Sequence, residues 1–185
     1  AIAILILPLL RVGGMQIFKI ESSDISEEKI FNAVRTVLAL FAIYAGLTVI
    51  CFVLYQMFGM TSFDALTHAM TTLSTGGYST HDSSFGYFAD LRLHWVAIIF
   101  MVAGAIPFLL YIKTMRGDAR ALISDQQVKG FIGLLVIVSV AMAIWLMTQR
   151  EIDFGHALTL TSFNVVSIVT TTGFASDDYT AWGSG

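Results

Sequence analysis

Two short tracts of the chain place glycine and hydroxyl residues within sequence that is otherwise apolar. The first is LSTGGYST at 73–80, and the second is VTTTGFAS at 169–176. Rings of backbone carbonyls can replace the hydration shell of an alkali cation, and glycine lets the backbone turn its carbonyls toward one axis without a Cβ clash. The tracts therefore predict part of a cation filter.

The two tracts align without a gap. Placing Gly77 on Gly173 pairs Thr75 with Thr171 and puts an aromatic residue directly after each glycine. One glycine of this kind could equally be the C-cap of a surface helix. Recurrence at the same topological position favours an internal repeat and, with it, the filter.

Two acidic residues follow the tracts at matching positions. Asp82 pairs with Asp178 in the same gapless alignment. The two carboxylates could attract cations at a vestibule outside the filter, or they could simply cap loops. The sequence favours neither role over the other.

Other kinds of chemistry find no support in the chain. Walker, Rossmann and nucleophile–base patterns are absent from the sequence, so we expect neither an enzyme nor an organic cofactor, and no nucleic-acid partner. The histidines offer no pair at metal-ligand spacing with a third donor, and structural roles are expected for them. They are His68, His81, His94 and His156.

The composition predicts a multi-span protein of a lipid bilayer. Hydrophobic residues make up 56% of the chain and charged residues 12%, and the mean hydropathy is +0.78, which is too apolar for an ordinary soluble domain. Three apolar runs are long enough to cross, at 36–59, 94–112 and 130–148. Pro107 predicts a kink in the second run, tolerable if another group satisfies the freed carbonyl.

A short helix is predicted before each tract. Residues 63–73 suit a helix with Thr61 or Ser62 as N-cap, but about a dozen residues extend only about 18 Å. Such a helix must enter the membrane and stop, and the tract must return without regular structure. Irregular backbone is tolerated at that depth only when it is buried in protein or lines a water-filled cavity. Residues 156–169, with Asp153 as N-cap, repeat this layout.

The basic residues are distributed unequally between the two sides of the membrane. Eight of the 10 lysines and arginines fall in or beside the segments 11–35 and 113–129, which the positive-inside rule assigns to the cytoplasm. They are Arg11, Lys19, Lys29, Arg35, Lys113, Arg116, Arg120 and Lys129.

Three motifs together carry a family resemblance. The segments LPLLRVGGMQIFK (7–19), LSTGGYSTHDSSFGYF (73–88) and VVSIVTTTGFASDDYTAW (165–182) resemble the TrkH-type potassium uptake proteins of bacteria, within the Trk/Ktr/HKT superfamily. The resemblance implies an all-α integral membrane protein of potassium-channel-like architecture. Four repeated units of span, pore helix, filter loop and span would surround one pore, and each loop would contribute a filter glycine. Gly77 and Gly173 match the filter glycines of loops two and three. The resemblance implies that these glycines and the residues that match their flanks bind K⁺, mainly through backbone carbonyls; the flanking residues are Thr75, Gly76, Tyr78, Thr171, Thr172 and Phe174.

The resemblance divides the chain into units. Loops one and four, and the second span of unit three, are absent from this sequence, so we expect a fragment, a protein described only in part, or one component of a larger assembly. The predicted segments are the end of a transmembrane helix of unit one (1–10), a cytoplasmic linker (11–35), a complete unit two (36–112, with span 36–59, pore helix and filter 62–80, and span 94–112), a cytoplasmic loop (113–129) and a partial unit three (130–185, with span 130–148 and pore helix and filter 156–176).

The implied function is potassium-selective conduction or uptake, with K⁺ as the transported ion and no catalysis. Relatives of this kind lie in the bacterial plasma (inner) membrane as multi-pass proteins, form homodimers and dock a cytoplasmic nucleotide-binding regulatory subunit. Two alternatives stay open: the ion-conducting subunit of a potassium-pumping ATPase, and a non-conducting membrane scaffold that retained the repeats.

The charge asymmetry generates a prediction about topology. In a Cys51→Ala background, Arg116→Cys should be shielded from a membrane-impermeant thiol reagent in intact cells, whereas Ser84→Cys should be labelled, because basic loops stay in the cytoplasm. Labelling of the 116 variant without labelling of the 84 variant would contradict this orientation.

Overall fold

The computed structural model describes residues 27–118, 120–150 and 152–176, and within these ranges the chain is helical without a β-strand. The all-α prediction is confirmed for this part. The predicted span end at 1–10, residues 11–26 of the predicted linker, and Asp178 lie outside the described residues. The described residues fall into two compact units, one ending at residue 42 and the other beginning at residue 43, and the core and the loops analysed below belong to the second.

Twice in the described part of the chain, a long helix is followed by a short helix. The elements are α1 (Glu27–Met57), α2 (Ser62–Leu73), a 3-10 turn (Ser84–Tyr87), α3 (Leu91–Ala105), α4 (Phe108–Met115), α5 (Ala121–Ser124), α6 (Gln126–Gln149) and α7 (Phe154–Val169).

Two described helices are long and apolar enough to cross a membrane by themselves. Val34–Met57 of α1 has a mean hydropathy of 2.7, and Gln126–Gln149, which is α6, has a value of 2.5. The 12 residues of α2 and the 16 residues of α7 extend only about 18 and about 24 Å, less than the roughly 30 Å of a hydrocarbon core. The short helices therefore cannot span the membrane alone.

Side-chain oxygens start both short helices. Thr61 Oγ1 accepts a hydrogen bond from the Asp64 backbone N–H at 3.2 Å, and the Asp153 carboxylate accepts one from the Gly155 N–H at 2.9 Å. Each bond satisfies a backbone donor that the first helical turn leaves unpaired. The predicted N-cap at Asp153, and Thr61 as one of the two predicted for α2, are confirmed.

The second apolar run is broken at Pro107. Instead of one kinked helix over 94–112, α3 ends at Ala105 and α4 begins at Phe108, with an angle of 88° between them. Proline has no N–H and cannot bond the carbonyl four residues earlier, which belongs to Ala103. The Tyr111 hydroxyl donates to that carbonyl at 2.8 Å. A side chain from beyond the break therefore satisfies the group that proline leaves free.

The hydrophobic core of the second unit lies where α1, α2, α3 and α7 meet. The single cysteine, Cys51, is fully buried there, as expected for a small packing residue. The Tyr55 hydroxyl shares a 2.9 Å hydrogen bond with Thr72 Oγ1, which pairs both buried polar groups and ties α1 to α2. Other buried members of this core are Ala65, Ala69, Leu73, Phe85, Ala97, Met101 and Phe163.

The packing of α3 on the end of α2 depends on Gly104. A Cβ added there would lie 2.7 Å from the Leu73 carbonyl oxygen. Because the obstacle is backbone, we expect Gly104→Ala to lower the free energy of unfolding by about 1–3 kcal/mol. Thermal unfolding of the detergent-solubilised protein measures the effect.

The matched control is Gly133→Ala in α6. No described atom lies within 4 Å of its added Cβ, so alanine should stabilise the helix there by about 0.5–1 kcal/mol. Equal or higher stability of the Gly104→Ala variant would show that α3 and α2 do not approach this closely.

Candidate ion-binding site

The backbone in both tracts alternates in handedness. Thr75 and Gly77 have positive φ values of 51° and 65°, and the matching Thr171 and Gly173 have 60° and 88°. The residue between them has negative φ in both loops. Left-handed backbone costs a β-branched residue such as threonine about 1–2 kcal/mol. Strain at the matching threonine of both repeats indicates a functional constraint on the backbone.

Hydrogen bonds to the preceding helix orient the peptide groups of each loop. The N–H groups of Gly76 and Gly77 donate to the Thr71 carbonyl at 2.8 and 3.3 Å, and in the second loop the Ser167 carbonyl accepts two such bonds at the same distances. In a trans peptide unit the N–H and the preceding C=O point in opposite directions. The carbonyls of Thr75 and Gly76 therefore face away from α2, and their counterparts face away from α7.

The two loops pack against each other through a glycine. A Cβ on Gly77 would lie 1.9 Å from the Thr172 carbonyl oxygen and 3.1 Å from the Gly173 carbonyl carbon. A real side chain cannot occupy that space, so position 77 requires glycine for contact as well as for its φ. A Cβ on Gly173 has no described atom within 4 Å. Only one of the two equivalent glycines is therefore covered by a neighbouring loop.

Two hydrogen bonds also connect the second loop to the segment that follows the first loop. The Gly86 N–H donates to the Ala175 carbonyl at 3.0 Å, and the Ala175 N–H donates to Ser84 Oγ at 3.2 Å. Ser84 has a positive φ of 53°. The 3-10 turn thus holds the outer end of the second tract.

The aromatic residues after the two glycines have different surroundings. Phe174 is buried, with its ring centroid 5.9 Å from that of His68 and 5.3 Å from that of Phe85. Tyr78, its counterpart, is 78% exposed. Phe174 therefore fills a pocket of the preceding repeat, whereas Tyr78 has no such cover from the described residues.

The carbonyls of two of the eight predicted ligands point back toward the short helices. The Tyr78 carbonyl accepts a hydrogen bond from Thr71 Oγ1 at 2.9 Å, and the Phe174 carbonyl accepts one from Ser167 Oγ at 2.7 Å. Both carbonyls therefore turn back toward their own short helices. The structure separates these two residues from Thr75, Gly76, Thr171 and Thr172, whose carbonyls face away from the short helices.

A carboxylate lies behind the outer end of the first tract. Asp64 is buried and accepts hydrogen bonds from Thr80 Oγ1 at 2.6 Å and Thr61 Oγ1 at 2.7 Å, while His81 Nε2 lies 3.5 Å away. The bonds from Thr80 and Thr61 lower the pKa of the Asp64 carboxyl. The matching position of the second repeat is Leu160, so this network exists in one repeat only.

Several residues around the loops were missed by sequence reasoning. His68 Nε2 lies 3.0 Å from Ser79 Oγ, and in the second repeat the Asn164 side-chain amide donates to Ser176 Oγ at 2.9 Å. Extending the alignment of the tracts back into the helices pairs His68 with Asn164. It also pairs Thr71 with Ser167, whose hydroxyls bond the carbonyls described above. That alignment was the available signal.

The remaining predicted site residue, Asp82, is exposed. Within the described residues, no group of three or more histidine, cysteine or acidic side chains is arranged to hold a metal ion. The oxygens of the two loops are therefore the candidate cation ligands.

The helices and loops define a class of protein: an all-α integral membrane protein with repeated re-entrant loops. The family model described as TrkH, cation transport protein, matches residues 1–185. The chain belongs to the TrkH family. It is thus a multi-pass chain of the bacterial inner membrane.

Curated relatives and a solved structure give the same result. The chain is 47% identical over 182 residues to the Trk system potassium uptake protein TrkI of Halomonas elongata, covering 98% of this chain and 37% of the relative. It is 31% identical over 188 residues to the Trk system potassium uptake protein TrkH of Escherichia coli, covering 98% and 38%.

The crystal structure of the potassium transporter TrkH from Vibrio parahaemolyticus matches with a TM-score of 0.79 and 29% identity, covering 97% of this chain and 36% of that one. The repeated-unit architecture of potassium-channel type that the sequence predicted is confirmed by this match. The chain spans a little over a third of the length of these proteins.

The Asp64 network predicts a pH-dependent contribution to stability. Because the folded-state pKa is lowered, the contribution is complete above the unfolded value of about 3.9 and is lost as the pH falls through the folded value. Asp64→Asn should therefore destabilise the protein at neutral pH, by about 1.5–3 kcal/mol for lost hydrogen bonds to a charged group. Unfolding of both proteins should be compared from about pH 7 down to about pH 3.

Asp82→Asn, at an exposed position, is the control and should change stability by less than about 0.5 kcal/mol. A difference between wild type and Asp64→Asn that stays constant down to the lowest pH would contradict the assigned carboxylate network.

Proposed function

We propose that this chain carries two of the filter loops of a potassium-selective uptake protein, which passes K⁺ through rings of backbone carbonyls without catalysis and without an organic cofactor. The observation that carries the proposal is the alternation of φ sign at Thr75–Gly77 and at Thr171–Gly173, in two loops whose backbones touch. The relatives named above are potassium uptake proteins.

The chemistry of the loops suits K⁺. The carbonyls of Thr75 and Gly76 face away from α2, and those of Thr171 and Thr172 face away from α7, so they can present oxygens to one axis. Neutral carbonyls can replace the hydration shell of K⁺ and still bind the ion weakly enough for it to leave. The C-terminal ends of α2 and α7 add partial negative charge next to both loops.

The contact between the loops supports a ring. Gly77 of one loop meets the carbonyl of Thr172 in the next, which is a head-to-tail contact between two different surfaces. Contacts of this type close into rings when the rotation allows it. The uncovered Gly173 and exposed Tyr78 are the two surfaces that such a ring would use next. The other loops would come from the remaining length that the relatives possess.

The assembly is proposed by resemblance. We place the complete protein as a homodimer with a cytoplasmic nucleotide-binding regulatory subunit. Asp82 and Asp178, as vestibule residues, would concentrate cations outside the filter.

The test is the substitution of the filter glycines in the full-length protein. Gly77→Ser must displace the Thr172 backbone, and we expect it to lower the K⁺ over Na⁺ flux ratio about tenfold, equivalent to about 1.4 kcal/mol. If the ring closes, Gly173→Ser should have an equal effect, although its added Cβ meets nothing among the described residues. Flux of both ions in reconstituted vesicles, normalised to inserted protein, gives the ratio.

Gly46→Ser, in α1 with no described atom within 4 Å of the added Cβ, is the control and should keep the wild-type ratio. Unchanged ratios for both filter variants would refute the filter. Uptake that requires ATP and survives collapse of the membrane potential would identify a pump subunit, and absence of flux would identify a scaffold.

A further inference from the structure

One residue of each short helix bonds its filter tract twice, once up to the glycine and once at the residue after it. The Thr71 carbonyl accepts the N–H groups of Gly76 and Gly77, while the hydroxyl of the same residue donates to the Tyr78 carbonyl at 2.9 Å. Thr71 Oγ1 also lies 3.0 Å from the Thr67 carbonyl and 3.3 Å from the His68 carbonyl, which are acceptors of its own helix, so the tract carbonyl is the nearest of three acceptors.

The second repeat contains the same arrangement with a different residue type. Ser167 is fully buried, and its hydroxyl donates to the Phe174 carbonyl at 2.7 Å. Its own carbonyl accepts the N–H groups of Thr172 and Gly173. A hydroxyl is thus the common feature, since threonine and serine occupy the matched positions.

The direction of these bonds changes along the tract. Before the glycine, N–H groups point to the helix and carbonyls point away from it. At the residue after the glycine, the carbonyl itself points to the helix. The hydroxyl is the donor that meets the reversed carbonyl, and at the buried Phe174 a carbonyl turned to the helix without a partner would cost about 1–3 kcal/mol.

We propose that Thr71 and Ser167 are positioning residues that end the ladder of pore-facing carbonyls at Gly77 and Gly173. Their hydroxyls withdraw the carbonyls of Tyr78 and Phe174, and so limit how many oxygens each loop offers to the ion. Without the hydroxyl, the carbonyl is free to turn toward the axis, which alters the number and spacing of ligands on which discrimination between K⁺ and Na⁺ depends. The proposal rests on the proposed filter function.

The experiment uses the full-length protein in vesicles, with the K⁺ over Na⁺ flux ratio normalised to inserted protein. Thr71→Val and Ser167→Ala remove the hydroxyls and should each lower the ratio about tenfold, the same scale as one altered ligand. Thr71→Ser and Ser167→Thr keep a hydroxyl and should stay within about twofold of wild type, a difference of about 0.4 kcal/mol. A merely structural role would not follow the hydroxyl in this way.

Thr159→Val is the matched control. Thr159 is buried in α7, and among the described residues its hydroxyl bonds only the Gly155 carbonyl of its own helix, at 2.9 Å, so the wild-type ratio should be kept. Should Thr71→Val fail to insert, Ser167→Ala decides the question, since it removes a single oxygen.

The possible results distinguish a failure of the positioning role from a failure of the proposed filter. Wild-type ratios in Thr71→Val and Ser167→Ala, together with a lowered ratio in Gly77→Ser, would overturn the positioning role and leave the filter intact. An unchanged ratio in Gly77→Ser would overturn the filter itself. A loss in the conservative variants or in Thr159→Val as large as that in Ser167→Ala would also overturn the inference, since the effect would then not depend on the hydroxyl at the tract.

Discussion

The approach of Gly77 to the Thr172 carbonyl is the constraint on which the other features of the site depend. With a Cβ position only 1.9 Å from that oxygen, the two loop backbones can meet only if residue 77 is glycine. The 3-10 turn then bonds the outer end of the second loop, and Phe174 fills the space beside His68. The conformation of the loops and the packing of the two repeats are therefore coupled, because both depend on the same backbone atoms.

Backbone strain is the cost of this arrangement. Left-handed threonine is unfavourable, and it persists because the N–H groups that follow Thr75 and Thr171 are held by helix carbonyls and the loops are packed between helices. The ends of α2 and α7 therefore supply the hydrogen-bond acceptors that hold the loops in this conformation. A tract that is irregular by itself becomes defined through the helix that precedes it.

The two repeats share this plan but differ in how the outer end is held. The first uses a carboxylate, Asp64, with two threonine hydroxyls, and the second uses the neutral amide of Asn164 with Ser176. Both solutions pair buried side-chain oxygens behind the loop. Only the first carries a charge, so the repeats are equivalent in backbone and unequal in electrostatics.

Local properties of the chain were enough to predict the membrane class, the repeat, the short helices with Thr61 or Ser62 and Asp153 as caps, and the positions of the glycine tracts. Hydropathy, helix length and cap chemistry depend on neighbours in sequence, and the repeat is visible in one alignment. The direction of the Tyr78 carbonyl, the burial of Phe174 and the 88° break at Pro107 required the tertiary structure. Each depends on which group lies opposite in space, and hydropathy and spacing along the chain do not specify that partner.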